Sequence, residues 1–176
     1  MRYKTFASMN IAVIGGGKFC ESLSHGLAIA GHEIFIGLKE EYGDISDSLE
    51  QFKNIRVGSI EDAAYAADII IIATEVRHIR EVAYWLDDVR KKVIVDATDF
   101  ISWLPVEDIN AISAIKAITG SPHVAKFFNN AHQRDILDGL FKEKVMGMLV
   151  VSDSGKAIEV VKILAKDMVS VINAAT

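Results

Sequence analysis

Cysteine is nearly absent from this chain. Cys20 is the only one in 176 residues, which excludes an internal disulfide and fits a reducing compartment. Positive charge is in deficit: 19 Lys and Arg stand against 24 Asp and Glu, a formal net charge of −5. Such a balance carries no basic footprint for nucleic acid. Long hydrophobic runs are missing too. The longest, "ADIIIIAT" and "MGMLVV", are strand-sized against the roughly 20 residues of a membrane span, so no membrane partner is expected. The N-terminal "MRYKTFAS" has two basic residues but no long apolar core after it, unlike a signal peptide. Residues 1–8 read as a short extension before Met9, and 9–176 as a single domain. The five histidines, His25, His32, His78, His123 and His132, are not at metal-ligand spacing, so no metal site is expected. The expectation is a cytoplasmic protein.

What is there is ordinary globular composition, 51% hydrophobic and 24% charged, arranged in alternating apolar runs and helical patterns with no repeat or linker. "NIAVI" predicts a first strand, and a helix follows from about Lys18 until "AGH", where Gly31 ends it. "EIFIG" and "NIRVG" are the next strands. "SIEDAAYAAD" is a helix with Ser59 as N-cap and acids in its first turn. "DIIIIAT" is an unbroken β-branched run, the mark of a central parallel strand covered on both faces. A helix is expected from Arg77 to Leu86, a strand in "KKVIVDAT", and a helix from Val106 to Ile118. "HVAKFF" and "VMGMLVVS" are later strands, "SGKAIEVVKILAKDM" an amphipathic helix, and "VSVINA" a short last strand. This alternation predicts an α/β fold of Rossmann type: a doubly wound, mainly parallel sheet of about seven to eight strands with helices on both faces. A ligand belongs at the carboxyl ends of the strands, near the switch point.

The first strand runs into "GGGKFCESL", close to the G-x-G-x-x-G turn that holds a dinucleotide pyrophosphate. Gly15 permits the tight turn, Gly17 lets the backbone approach a phosphate, and the helix start supplies N–H groups. Cys20 takes the third glycine's place, which serves helix–strand packing. It reads as a compact packing residue in preference to a reactive thiol. Past the second strand, "IGLKE" has no carboxylate for a ribose 2′-hydroxyl until Glu40. Lys39 suits the 2′-phosphate of NADP, with NAD the less favoured cofactor. Thr74, His78, Thr98 and Asn129 fall at strand ends or just after them and are candidates for contact with a reacting ring, although a solvated helix-start histidine is the commoner role for His78. Asp96 reads as the anchor of a neighbouring loop, and Lys126 either pairs with a carboxylate or contacts a ligand.

These segments, in this order, resemble the family of F420-dependent NADP reductases, which also supplies the NADPH-binding domains of the STEAP metalloreductases. The resemblance spans roughly Asn10 to Ala174. It implies an NADP(H)-binding Rossmann domain, often a homodimer, that passes hydride to a small-molecule redox partner, a deazaflavin (F420) or a flavin such as FMN or FAD. Gly15, Gly16, Gly17, Lys18 and Phe19 match the pyrophosphate turn. Leu38 and Lys39 match a Ser-Arg pair that grips the 2′-phosphate, here without the arginine's bidentate fork. Ala73, Thr74 and Glu75 match an Ala-Val-Pro stretch lining the cofactor. "DATDF", with Ala97 and Thr98, matches Asp-Ala-Thr-Asn-Pro, and "KFFNN", with Asn129, matches Lys-Ala-Phe-Asn-Thr. No catalytic acid or base is named, because hydride transfer needs ring positioning more than proton chemistry. A dinucleotide-binding regulatory or sensor module without turnover is the alternative. A dehydrogenase of small imino or keto acids is a third, for which 176 residues leave no helical dimerisation domain.

Overall fold

The computed structural model describes residues 7–98, 107–128, 141–145 and 148–175. Its strands are β1 (Asn10–Ile14), β2 (Glu33–Gly37), β3 (Ile55–Gly58), β4 (Ile69–Ile72), β5 (Val93–Asp96), β6 (Val124–Phe128), β7 (Phe141–Val145) and β8 (Met148–Ser152). The helices are α1 (Gly17–Ile29), α2 (Ile60–Ala66), α3 (Ile79–Trp85), α4 (Glu107–Thr119) and α5 (Gly155–Ala175). One sheet holds the strands in the order β3-β2-β1-β4-β5-β6-β8-β7. The first six run parallel. β8 is antiparallel to β6, and β7 to β8. The expected Rossmann-type sheet is therefore present.

Alternation along the strands explains the two-sided core. Successive side chains of a strand point to opposite faces. Ile70 and Ile72 of β4 join Ala12 and Ile14 of β1 against α2, α3 and α4. Ile69 and Ile71 join Ile11 and Val13 against α1 and α5. All four β4 isoleucines are buried, so the strand has no polar side and reads as a continuous apolar run. The ends of the helices follow local chemistry. Gly31, at φ +100°, lies just past the α1 cap residue Ala30, in the left-handed conformation glycine adopts without strain. The Ser59 hydroxyl accepts the Asp62 N–H at 3.1 Å and caps α2.

A buried polar link ties α5 to the sheet. Met9 donates its N–H to His32 Nδ1 at 3.3 Å, and His32 Nε2 lies 3.2 Å from Asp167 Oδ2. With Nδ1 accepting, the ring proton sits on Nε2 and is donated to the carboxylate. Nothing in the sequence around His32 announces a partner 135 residues away.

Three elements differ from expectation. "FKEKV", read as no element, forms β7, the outermost strand. "VMGMLVVS" is split between the end of β7 and β8. "VSVINA" is not a strand but the continuation of α5. No turn signal separates it from the preceding helix, and propagation adds one hydrogen bond per residue while β-branched residues oppose helix only weakly. Among the described residues no helix is long and apolar enough to cross a membrane.

Candidate functional site

The strand order reverses between β1 and β4, and a crevice at their carboxyl ends is where ligands of such sheets bind. Gly15 donates its N–H to the Gly37 carbonyl at 3.1 Å and lies at φ +148°. A Cβ at Gly15 would fall 2.5 Å from the Ala73 oxygen, so the turn after β1 is pressed onto the end of β4. Only glycine fits there. Lys18 and Phe19 are exposed at the start of α1. Cys20 is buried beneath the turn and donates its thiol to the Gly15 carbonyl at 3.3 Å. Burial pushes the thiol up to about 11, so it stays protonated and inert at neutral pH. The packing role expected of Cys20 is what the structure shows. Native protein at pH 8 should therefore leave the thiol unmodified by Ellman's reagent until denaturant is added. Rapid native labelling would contradict that burial.

At the ends of β4 and β5 the backbone continues the ladder. Ala73 donates to the Ile14 carbonyl at 2.8 Å and Ala97 to that of Ile72 at 2.9 Å. Thr74 is buried, its hydroxyl donating to the Glu75 carbonyl. Glu75 is exposed and pairs with Arg77 at 2.9 Å. Below Thr98 lies a buried ionic cluster. Asp96 Oδ1 accepts both the Thr98 N–H (3.0 Å) and its hydroxyl (2.7 Å). Lys126 Nζ donates to the Thr98 hydroxyl and carbonyl and sits 3.0 Å from Asp96 Oδ2. The contact of Nζ with Oδ2 is an ion pair without an aligned hydrogen bond. Asp96 is 0% and Lys126 1% exposed, and a buried charge persists only when paired. Asp96 thus anchors its loop, and Lys126 takes the carboxylate of its two expected roles.

The segment after β2 gathers the remaining candidates. Leu38, half-buried, donates its N–H to the Gly58 carbonyl at 3.0 Å. Lys39 Nζ pairs with Glu41 at 2.9 Å and with Glu81 of α3. It also lies 5.5 Å from the Trp85 ring centre and 5.9 Å from that of Tyr42. Both carboxylates hold the ammonium well above the usual lysine range, and Lys39 holds Glu81 below the usual carboxylate range. His78 is not the solvated histidine expected. Its side chain is 18% exposed, its ring packs 4.9 Å from that of Tyr42, and Nδ1 is 3.5 Å from Glu81. Burial pushes the Tyr42 hydroxyl up to about 12.

The structure thus brings Gly15 against Ala73 and Thr74, sets Gly16 and Gly17 against Gly43 and Asp44, and joins Lys39 to His78 through Glu81 and Tyr42. Asn129, Asp99, Phe100 and Trp103 lie outside the described residues. Glu81, Glu41, Tyr42 and Asp44 were missed from the sequence. The His78–Glu81 spacing of three residues places that pair on one helix face, but no local signal links Glu81 to Lys39.

Residues 10–99 match the family model of NADP oxidoreductase, coenzyme F420-dependent. The chain belongs to this family. Its members' fold is also the fold of its structural neighbours. A provisionally assigned F420-dependent NADP reductase from Arthrobacter sp. FB24 superposes with a TM-score of 0.62 at 21% identity, over 92% of this chain and 81% of that one. Prephenate dehydrogenase from A. aeolicus, in complex with hydroxyphenyl propionate and NAD+, gives 0.63 at 18% identity, over 94% of this chain and 59% of that one. Plasmodium falciparum pyrroline carboxylate reductase with NADP bound gives 0.59 at 12% identity, over 91% and 55%. No curated protein matches the sequence. The family is one of NAD(P)-dependent oxidoreductases, and the glycine turn, Ala73 and Thr74 lie inside the matched span.

Proposed function

We propose that the chain binds NADP(H) across the ends of β1, β2 and β4 and passes hydride between its nicotinamide and a flavin or deazaflavin. The observation that carries this reading is the glycine turn. Gly15 is pressed onto Ala73 at the switch point, and a 13-residue helix starts at Gly17, which offers N–H donors and the positive end of the helix dipole to a pyrophosphate. In this reading Lys39 meets the 2′-phosphate, and Thr74, His78, Thr98 and Asn129 flank the reacting ring. The buried Asp96–Lys126 pair positions Thr98. The protein's part in hydride transfer is to hold two rings at about 3 to 3.5 Å between reacting atoms with water excluded. No side-chain acid or base is required.

Titration with NADPH and NADH, followed by tryptophan fluorescence, tests binding directly, because Trp85 lies beside Lys39. FMN or F420 is then added and oxidation followed at the nicotinamide band. Lys39→Ala should lower NADPH affinity about tenfold or more, roughly 1.4 kcal/mol, and leave NADH unchanged or tighter. Equal loss for both would remove Lys39 from 2′-phosphate recognition. One observation favours a second reading: the Gly17 N–H already has a backbone partner, the Asp44 carbonyl. A dinucleotide sensor without turnover accommodates that constraint. Tight NADPH binding with no oxidation by either acceptor would support it over the enzyme.

A further inference from the structure

The phosphate turn is covered by its own chain. Residues 39–44 fold back across it, and the Asp44 carbonyl accepts the Gly17 N–H at 2.9 Å. A Cβ on Gly16 would lie 2.5 Å from the Gly43 oxygen and 2.7 Å from that of Tyr42, so two peptide groups sit directly on the turn. Gly43, at φ +100°, makes the bend. The hydrogen bond from Gly17 consumes one of the helix N-terminal donors that an anion at that end would use.

Both ends of this segment are pinned by carboxylates from helices. Glu81 of α3, with Glu41, holds Lys39. Glu21 of α1 accepts the Ser46 N–H at 2.5 Å. Between the pins, Tyr42 lies against His78, and Tyr42 Oη and His78 Nε2 are both buried without a hydrogen-bond partner. Two unpaired polar atoms work against closure. Opening the segment returns them to water, so the closed arrangement depends on the pins.

We infer that residues 39–44 form a strap over the phosphate turn, opened by a 2′-phosphorylated dinucleotide whose two anionic groups replace the strap's own partners. The 2′-phosphate takes Lys39 from Glu81 and Glu41, and the pyrophosphate takes the Gly17 N–H from Asp44. The inference rests on the NADP(H) reading and adds a physical source of cofactor preference to it. NADH has no 2′-phosphate with which to release Lys39. Glu81 is then a specificity-determining residue although it touches no cofactor in the closed arrangement, because it sets how tightly Lys39 is held.

The test is amide hydrogen exchange at Gly17 by NMR on the full chain, with Glu81→Gln as the variant, since Glu81 is half-buried and outside the apolar core, so its near-isosteric replacement leaves the core intact. Without nucleotide, Glu81→Gln should speed Gly17 exchange about tenfold and raise the NADPH association rate several-fold. In the wild type, 2′-AMP should speed Gly17 exchange although it reaches only the ribose end, and 5′-AMP should not. Gly17 exchange unaltered by Glu81→Gln, with NADPH binding both forms equally fast, would overturn the strap and leave the dinucleotide reading standing. Faster Gly17 exchange with no NADPH binding by either form would overturn the dinucleotide reading, and with it the proposed opener, while the latch itself would be confirmed.

Discussion

Lys126→Ala should destabilise the fold by about 3–5 kcal/mol, the usual cost of removing one partner from a buried ion pair. The substitution leaves the Asp96 carboxylate at 0% exposure without its counter-charge. It also strips the Thr98 carbonyl and hydroxyl of their donor. Urea unfolding monitored by circular dichroism measures the loss. The double variant Asp96→Asn with Lys126→Met should recover much of it, because both buried charges are then gone and the two residues act as a coupled pair. A single-variant loss below about 1 kcal/mol would mean that water reaches the pair and that it does not hold Thr98 in place. Because Thr98 lies just past the end of β5 beside the candidate ring site, the single variant should also weaken NADPH binding beyond what its stability alone explains.

Gly15→Ala should be the most damaging change at the turn. Its Cβ would meet the Ala73 oxygen at 2.5 Å and the Ala73 carbonyl carbon at 2.8 Å. Both are backbone atoms, so no flexible side chain can give way, and β1 and β4 must part. The backbone at φ +148° adds strain of about 1–3 kcal/mol for any residue with a Cβ. Thermal unfolding should shift downward, and NADPH affinity should fall by more than about tenfold. Gly17→Ala is the informative contrast. It lies at φ +74° but its Cβ would meet nothing within 4 Å, so it should cost only about 1–2 kcal/mol of left-handed backbone strain. If the two variants unfolded alike, the close approach of β1 to Ala73 would not be what demands glycine at position 15.

The elements that local chemistry controls were legible before any coordinates. The four isoleucines of β4, the cap at Ser59 and the glycines at 15 and 31 each announce their structure, because a covered strand, a helix start and a left-handed bend accept few other residues. The failures share a cause. "VSVINA" has strand composition but inherits a helix from the residues before it. "FKEKV" has too few apolar residues to read as a strand until β8 is there to pair with it. Cys20 was readable as a packing residue because the third position of the turn has one structural task, and its buried thiol bears that out. His78 was misread as solvated because Tyr42, which covers it, comes from a loop 36 positions earlier.

The same division runs through the site. The sequence by itself determined the alternating α/β order, the tight turn at Gly15 and the presence of a lysine after the second strand. All of these follow from backbone freedom, periodicity and side-chain type within a few residues. The tertiary structure alone decided what those groups face. It set Lys39 between Glu41 and Glu81, laid the Asp44 carbonyl on the Gly17 N–H, and buried Lys126 on Asp96. Apart from the local Lys39–Glu41 contact, these pairings join residues 27 to 42 positions apart along the chain, and only the closing of the sheet, which brings the strand ends side by side, makes them neighbours.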